Sequence, residues 1–413
     1  MHRAHKIQLK PNKEQQIYLN KAFGVARFAY NYSLSWWHDV YQLHKIDPTL
    51  PKPNQLEARK HFNMVKDSEF PWVREVTKCA PQYSIMNLGK AFDGFFKKNG
   101  AYPKFKKKGN NDSFQLDNTQ FKINNKKIHI PKLGWVRLSE SLRFDGKLLN
   151  ATISKRANKY FVSIAVELPT PAPKPKPINI GGIDLGVREF VESDGTIHHT
   201  PRSYRRNQTK LKRRQQSLSR KVKGSNNRTK AKQKVAKVHY DIANQRSDFT
   251  HKLTSNLVNK YSILCIEDLA VKNLTKKGKY KSGLNKSILD SNFFEFRRQL
   301  EYKSIPVGTQ IIVADRWFPS SKLCSNCSVK TKQKLRLHIR SWVCEYCGIS
   351  HHRDINAAKN LKNYAVSSTV SACGEFLASE PDLGLVQVTS VKQEVVKGYR
   401  GVTRLSMNSG TVA

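Results

Sequence analysis

The chain alternates between segments with a helical repeat of apolar residues and segments with a two-residue repeat. Asn12 and Gln15 form a capping-box pattern, and a helical repeat follows to about His44. Its apolar positions are Tyr18, Ala22, Phe23, Ala26, Tyr30, Leu34 and Trp37. Shorter helical patterns continue it, so residues 13–98 are predicted to form one helical domain. An aromatic stripe at this spacing is more typical of a core than of a surface that stacks on bases.

Residues 1–12 and 99–177 show the two-residue repeat of β-strands. Residues 160–166 alternate strictly, and Asn124-Asn125 lies between two short apolar runs, as in a hairpin. We predict a small antiparallel β-barrel or sheet that includes the N-terminal strand, with the helical domain inserted between its parts. The end of this region is rich in proline and lysine and is predicted to be a linker.

Two later apolar runs end in a carboxylate, and a third carboxylate opens a helical pattern. Residues 178–183 lead into Asp184, residues 262–266 lead into Glu267, and Asp354 precedes an Ala-rich segment. Acids at the ends of buried strands lie at one edge of a sheet, where Asp354 could face them. Three carboxylates there would bind two Mg²⁺ or Mn²⁺ ions, because hard oxygen ligands suit these cations. Two such ions about 3.5–4 Å apart contact both oxygens of a phosphodiester displacement.

Each acid also has a purely structural interpretation. Asp184 would suit a turn before Gly186, Glu267 a cap together with Asp268, and Asp354 a helix N-cap. The occurrence of all three on a strongly basic chain favours the metal centre over three unrelated turns and caps.

Basic residues greatly outnumber acidic ones. The chain has 413 residues, 38% of them hydrophobic, and a formal net charge of +43. Such a charge indicates a polyanionic partner, and nucleic acid is the main candidate, with an anionic membrane as the competitor. No apolar run approaches the roughly 18 residues of a membrane span, and no signal peptide opens the chain. We therefore expect a soluble, cytoplasmic protein.

The basic residues are concentrated in one segment. Residues 202–237 contain fifteen Lys and Arg and no acid, and they predict a long helix or a helical hairpin with a loop at 224–227. A solvated face usually carries compensating acids, so contact with a phosphate backbone is the favoured interpretation. The candidate contacts are Arg205, Arg206, Arg213, Arg214, Lys221 and Lys232.

Four of the seven cysteines form two C-x-x-C pairs separated by sixteen residues. This spacing predicts a tetrahedral zinc site in a small ribbon over 321–347, made by Cys324, Cys327, Cys344 and Cys347. The ribbon would be structural only, or it would guide a strand to the acids through Arg336, Arg340 and Lys334. Cys79, Cys265 and Cys373 stand apart and are predicted to be packing residues or free thiols.

Two segments are predicted to lack fixed structure. Residues 271–290 are rich in Lys, Gly and Ser and predict a mobile loop beside the acids. Residues 366–413 are rich in Ser, Thr, Val and Gly and predict a flexible tail that is dispensable for chemistry.

Taken in order, these motifs resemble the TnpB (OrfB) proteins of insertion sequences, which are compact relatives of type V CRISPR nucleases. The resemblance covers about residues 1–365, and its catalytic half is the more specific. It rests on the strand with Asp184, on Ile266–Leu269, Glu295–Lys303, Pro319–Cys324, the C-x-x-C ribbon and Asp354–Ala358, and more loosely on Gln8–Gln15 and Phe28–Asn31.

The resemblance implies a multidomain α+β protein. Its nuclease domain would be RuvC-like, with an RNase H-like fold, and would carry the zinc ribbon. An N-terminal wedge domain of oligonucleotide-binding type would hold the helical recognition domain. The implied bounds are 178–320 and 348–365 for the nuclease domain, 321–347 for the ribbon, 1–12 and 99–177 for the wedge, and 13–98 for the recognition domain.

The resemblance also implies an activity. Asp184, Glu267 and Asp354 would carry two metal ions, and the protein would bind a noncoding guide RNA. It would cut double-stranded DNA that matches the guide, beside a short flanking motif. Residues 304–306 lack an aromatic pair often found there, and residues 351–353 replace a more acidic sequence. Neither difference removes a metal ligand, so we expect activity.

Three other functions stay open. A nuclease-dead, RNA-guided DNA-binding repressor would not need the intact acids, and a DNA-joining transposase would use the same fold and acids to make joined products. A basic RNA-binding protein with a zinc ribbon would leave Asp184 and Glu267 at strand ends unexplained.

Overall fold

The structure is a computed structural model that describes residues 1–169, 176–276, 278, 281–336 and 338–372. Residues 373–413 of the predicted flexible tail, Cys373 among them, and most of the predicted linker lie outside the described residues. Within the described part, no helix combines the length and apolar character that a membrane crossing requires.

The N-terminal region is helical, as the repeat predicted. Its helices are α1 (Lys13–Ile46), α2 (Gln55–Val65) and α3 (Cys79–Phe96), with a 3₁₀ turn at Pro71–Glu75. The capping box of α1 is formed, with Gln15 N donating to Asn12 Oδ1 at 2.8 Å and Asn12 N to Gln15 Oε1 at 3.1 Å. Most of the aromatic stripe is buried, so it is core. α3 begins at Cys79, so Pro81 lies in its first turn, where a proline is tolerated.

The first sheet has seven antiparallel strands. They are β1 (His2–Lys10), β2 (Ser113–Asp117), β3 (Lys122–Asn124), β4 (Lys127–Ile130), β5 (Gly134–Leu138), β6 (Lys147–Arg156) and β7 (Lys159–Glu167). Their order is β2-β6-β7-β1-β5-β4-β3, so the N-terminal strand lies between strands that come more than a hundred residues later. This order is open within the described residues, and hydrogen bonds therefore do not close the predicted barrel.

The sequence analysis did not predict two strands of this sheet, β2 and β6. The alternation in β6 is interrupted by an irregular register between Leu148 and Asn150, and only two of its residues, Ala151 and Ile153, are fully buried. β2 pairs with β6 along its length and is only five residues long. A bulge and polar positions of this kind weaken the two-residue pattern.

The second sheet has the strand order β10-β9-β8-β11-β12. Its strands are β8 (Ile180–Leu185), β9 (Glu189–Glu192), β10 (Ile197–His199), β11 (Ile263–Ile266) and β12 (Gln310–Val313). β8, β11 and β12 are parallel, so their carboxyl ends lie at one edge. The helices that connect them are α4 (Ser203–Ser219), α5 (Asn226–Lys260), α6 (Val271–Leu274), α7 (Ser282–Ser291) and α8 (Phe293–Val307).

Two predictions for this region need correction. The segment 271–290 was predicted to be a mobile loop, but it contains α6 and α7, and Ile288 and Asp290 of α7 are buried. The last helix, α9 (Arg353–Ala372), continues past the predicted boundary at 365. Leu361 and Ala365 form an apolar face of this helix that packs on the sheet. The strands β13 (Ser341–Val343) and β14 (Ser350–His352) form a hairpin that leads into α9.

Candidate active site and zinc ribbon

A glycine pair in β8 lets the sheet approach its neighbours closely. A Cβ on Gly182 would lie 2.3 Å from the Ala358 carbonyl oxygen and 2.4 Å from the Lys362 nitrogen of α9. On Gly181 it would lie 2.5 Å from the ring of Tyr261. The two glycines therefore admit a helix backbone on one face and a tyrosine ring on the other. Because α9 packs directly on β8, its first turn lies near the end of that strand.

This packing brings the three predicted acids to one cavity. Asp184 is the next-to-last residue of β8, Glu267 follows β11 directly, and Asp354 is the second residue of α9. All three line a cavity of about 1210 Å³. That volume exceeds the roughly 300–1,000 Å³ of sites for small molecules, so the cavity suits part of a polymer.

Asp184 and Glu267 are held in an environment that disfavours their charge. Burial, and then the charges of Glu267 and Asp354, raise the pKa of Asp184 well above its usual 3.8. Burial also raises the pKa of Glu267, while a hydrogen bond from Ser320 Oγ to Glu267 Oε1 at 2.8 Å opposes the rise. Such carboxylates need a proton or a cation. Their hard oxygen atoms are the donors that Mg²⁺ or Mn²⁺ would use.

The third acid is paired with an arginine that the sequence analysis had assigned to nucleic acid. Arg340 Nη1 donates to Asp354 Oδ2 at 2.8 Å and to Oδ1 at 3.1 Å. Among the described residues, the acids do not form a group whose ligand atoms all lie within 4.8 Å of one another. The cavity therefore holds the three acids together but more loosely than the cysteine site holds its thiols.

The sulfur atoms of the four cysteines, by contrast, all lie within 4.8 Å of one another. The Sγ atoms of Cys324 and Cys347 are 3.6 Å apart, and those of Cys327 and Cys344 are 3.7 Å apart. A tetrahedron with Zn–S bonds of about 2.3 Å has S···S edges of about 3.8 Å. The thiols therefore fit a zinc ion. His351 Nε2 lies 3.0 Å from Cys324 Sγ, which makes it a hydrogen-bond partner of that sulfur.

Two asparagines of α9 fix the entry to the ribbon. Asn356 Nδ2 donates to the Leu323 carbonyl at 2.7 Å, and its Oδ1 accepts from Ser325 N at 2.9 Å. Asn360 Nδ2 donates to the carbonyls of Leu323 and Ser320, at 2.6 and 2.7 Å. Sequence analysis missed these roles, and it also missed Ser320. The sequence did contain a signal for the role of the asparagines, because the two lie four residues apart on a helix face that is otherwise apolar.

The candidate nucleic-acid residues lie on the surface. Arg205, Arg206, Arg213, Arg214, Lys221 and Lys232 are exposed on or beside α4 and α5, which form the predicted helical hairpin, and none makes an ion pair with another described residue. Arg205 lines the acid cavity, together with Arg188 and Arg202. Arg336 is exposed on the ribbon, and its carbonyl accepts a hydrogen bond from Arg353.

A buried carboxylate of α7 joins the basic hairpin to the cavity. Asp290 accepts hydrogen bonds from the Tyr204 nitrogen at 2.9 and 3.0 Å, at the start of α4. It thereby supplies the N-terminal cap that Arg202, with a left-handed backbone, does not provide. Asp290 itself lines the cavity, so α4, α7 and the acids form one wall.

Fold and site define a class: a mixed α/β protein with three acids at the edge of its parallel strands and a four-cysteine ribbon beside them. Three family profiles match the chain. They are described as "Probable transposase" over residues 163–278, "Cas12f1-like, TNB domain" over 293–361 and "Helix-turn-helix domain" over 1–45.

Relatives match over nearly the whole chain. "Putative RNA-guided DNA endonuclease InsQ" of Escherichia coli K12 is 34% identical over 91% of this chain and 95% of its own length. A relative in Streptomyces pristinaespiralis with the same activity in its name is 34% identical over 98% of both chains. The chain belongs to the TnpB (OrfB) family of insertion-sequence proteins. A cryo-EM structure of a Cas12f1–sgRNA–target DNA complex covers 84% of this chain and 83% of its own at 14% identity, with a TM-score of 0.49.

Proposed function

We propose that the protein is an RNA-guided DNA endonuclease of a transposable element. The observation that carries the proposal is the convergence of Asp184, Glu267 and Asp354 on one cavity whose rim is basic. The names of the E. coli and Streptomyces relatives, which cover nearly the same length, support the same activity. The net charge of +43 supports nucleic acid as the partner.

The strand order supports an RNase H-like, RuvC-type nuclease domain over 178–320 and 348–365. Three parallel strands flanked by an antiparallel pair place the ends of β8 and β11 side by side. In sheets of this type, functional residues gather outside the carboxyl ends of the strands. Residues 321–347 would be an inserted zinc ribbon, held by one structural Zn²⁺. The wedge would comprise 1–12 and 99–177, and the recognition domain 13–98.

The acids would hold two divalent ions, Mg²⁺ or Mn²⁺. When bound, these ions would supply Lewis-acid stabilisation of the attacking and leaving oxygens of a phosphodiester. The chain's own contribution is positional. Ser320 orients the Glu267 carboxylate, and the close contact of α9 with β8 fixes Asp354 beside Asp184. Arg188, Arg202 and Arg205 on the rim would attract the phosphates of the DNA strand.

The guide would be a noncoding RNA, and the target would be double-stranded DNA beside a short flanking motif. Base pairing with the RNA would read the sequence, while the protein would contact the backbones. The exposed cations of α4 and α5, with Arg336, are the proposed backbone contacts. Arg340 would join them once it leaves Asp354.

The proposal is tested by purifying the protein from cells that carry its flanking DNA and sequencing the bound RNA. We expect one dominant RNA with a variable end, and metal-dependent breaks in duplex DNA that matches this end. Unenriched cellular RNA would contradict the guided function. Tight guided binding without breaks would indicate the repressor, and joined or hairpin products would indicate a transposase.

A further inference from the structure

One tryptophan stands almost fully in solvent on a turn whose far end, Ser320, lines the acid cavity. Trp317 is 85% exposed, whereas the next most exposed tryptophan, Trp135 of the first sheet, is 44% exposed. Tryptophan is large and apolar, and it is highly buried on average. A single exposed apolar residue is ordinary by itself. Trp317 is distinguished by the way its backbone is held and by its position in the fold.

The turn that carries Trp317 is fixed on both sides. Asp315 Oδ1 accepts the Trp317 N–H at 2.8 Å, and the Asp315 carbonyl accepts the Phe318 N–H at 3.0 Å. Phe318 packs edge-on against Tyr364 of α9, with ring centroids 4.9 Å apart. On the other side, Arg316 is paired with Asp268, which also accepts from Arg297. An exposed indole on a backbone held in this way loses little conformational entropy when a ligand covers it.

The turn lies at the same sheet edge as the acids. It follows β12, which is parallel to β11, and Ala314 N donates to the Ile266 carbonyl at 2.9 Å, one residue before Glu267. Its far end is Ser320, whose hydroxyl binds Glu267. Neighbouring strands are about 4.8 Å apart. Trp317 therefore lies between Ala314, which bonds to the residue before Glu267, and Ser320, which binds Glu267 itself.

We propose that Trp317 stacks on an unpaired base of the DNA strand whose phosphodiester lies at the three acids. This proposal rests on the proposed nuclease function and adds a substrate contact to it. An unpaired base offers a free π-face, whereas bases inside a duplex are already stacked on one another. The neighbouring Arg316 would face the backbone of the same strand, because its side chain is half exposed. A protein partner fits less well, since Trp317 lies between Arg316 and the largely covered Phe318 and so forms no continuous apolar patch.

The binding test uses a single-stranded oligothymidylate with one 2-aminopurine, whose fluorescence falls when it stacks on an aromatic ring. The ribonucleoprotein carries Asp184→Asn, so that no strand is cut. We compare Trp317→Ala, Trp317→Leu and Trp317→Phe, with Trp135→Ala as the matched surface control. Quenching should persist with Trp135→Ala and Trp317→Phe and be lost with Trp317→Ala and Trp317→Leu. A fully paired duplex of equal length should give little quenching with any variant. Equal quenching by all four variants, or by the duplex, would overturn the proposal.

The cleavage test uses the same substitutions with intact acids and guide-matched DNA. Stacking on one base is worth about 1–3 kcal/mol, or about 5- to 150-fold in affinity. Trp317→Ala and Trp317→Leu should raise the half-saturating concentration of a target with a single-stranded flank by at least about 5-fold, while Trp317→Phe stays near wild type. An effect on the maximal rate alone contradicts the proposal. If wild type binds the oligonucleotide with quenching but never cuts, the nuclease function fails instead.

Discussion

The four cysteines of the ribbon come from two turns of one short segment, whereas the three carboxylates come from two strands and a helix that are distant in the sequence. The cysteine sulfurs already lie at zinc-site distances, 3.6–3.7 Å apart. The carboxylates share a cavity but lie farther apart, and Asp354 is paired with Arg340. A site made of local turns is thus complete with the fold, whereas under the proposed function Asp354 would have to release Arg340 before the acids could hold two metal ions.

The two sites are also physically coupled. Arg340 belongs to the ribbon and immediately precedes β13, and the carbonyl of Arg340 accepts a hydrogen bond from Arg353, the residue before Asp354. Asn356 and Asn360 of α9 hold the ribbon entry at Leu323. The ribbon therefore positions the helix turn that carries the third acid.

Removal of one carboxylate should have the largest effect. Metal ions contribute several kcal/mol to the transition state, and each 1.36 kcal/mol is tenfold in rate. We therefore expect Asp184→Ala to slow guided DNA cleavage by roughly 10³-fold or more and to leave RNA binding unchanged. Glu189→Ala is the control, since Glu189 lines the same cavity but pairs with His199 at 3.4 Å. Cleavage by Asp184→Ala within about tenfold of the wild-type rate would remove the catalytic assignment.

Disruption of the ribbon should disturb both the cysteine site and the acid site and spare the two sheets. Cys344→Ser removes a thiolate from a site whose stability comes from metal binding. We expect bound zinc, measured by atomic absorption, to drop from about one ion per chain to none, and cleavage to fall because Asp354 loses its support. Cys79→Ser is the control, as this buried thiol of α3 lies outside the cluster and outside the sheet that carries the acids. Unchanged cleavage after complete zinc loss would show that the two sites are not coupled.

The contact between α9 and β8 can be tested without touching any charged group. In Gly182→Ala, the added carbon would meet backbone atoms of α9 at 2.3 and 2.4 Å. Overpacking of this kind costs typically 1–3 kcal/mol, and it would also displace Asp354. We expect a lower melting temperature and weaker cleavage. Gly94→Ala is the control, because a Cβ there meets nothing within 4 Å in α3 and should slightly stabilise the helix. Wild-type cleavage by Gly182→Ala would show that this contact does not position the acid.

The smallest effect concerns the pH dependence of stability without metal. The pKa of Asp184 in the folded protein lies above the usual 3.8 that applies to the unfolded chain. Between these two pKa values, the folded protein therefore binds more protons than the unfolded one. The free energy of unfolding should therefore fall as pH rises through this window and stay low above it. Chemical denaturation in EDTA from pH 4 upward should show the decline, and Asp184→Asn should lessen it. Mg²⁺ should restore stability to wild type only, because it binds the folded acids. A wild-type protein whose stability is independent of pH in EDTA would contradict the pKa shift.

The sequence predicted the local features of both sites and missed their tertiary connections. Thiol spacing is enough to define the ribbon, and a carboxylate after an Ile-rich strand is enough to nominate Asp184 and Glu267. The link from Ser320 to Glu267 and the pairing of Arg340 with Asp354 arise only when separate elements pack together, and no local pattern encodes them. Likewise, the requirement for glycine at Gly182 becomes apparent only once α9 packs against β8.

The fold shows the same division between local and tertiary information. The helices with strong repeats and caps, such as α1, were predicted to within a few residues. The strand β6 was missed because a bulge interrupts its alternation, and α7 was predicted to be a loop because its polar composition hides the burial of Ile288 and Asp290. The function of these segments depends on contacts with distant residues, which composition does not report.

The most direct test of the proposed metal centre is to count the metal ions that bind at the three acids. Wild type and Asp184→Asn are assembled with their RNA and a target made uncleavable by phosphorothioate, and Mn²⁺ binding is followed by electron paramagnetic resonance. We predict two Mn²⁺ ions per wild-type complex with a spin-coupled signal, as expected for ions about 3.5–4 Å apart, and loss of this signal in Asp184→Asn. The same coupled pair in both complexes would contradict the assignment of the three carboxylates as the metal centre.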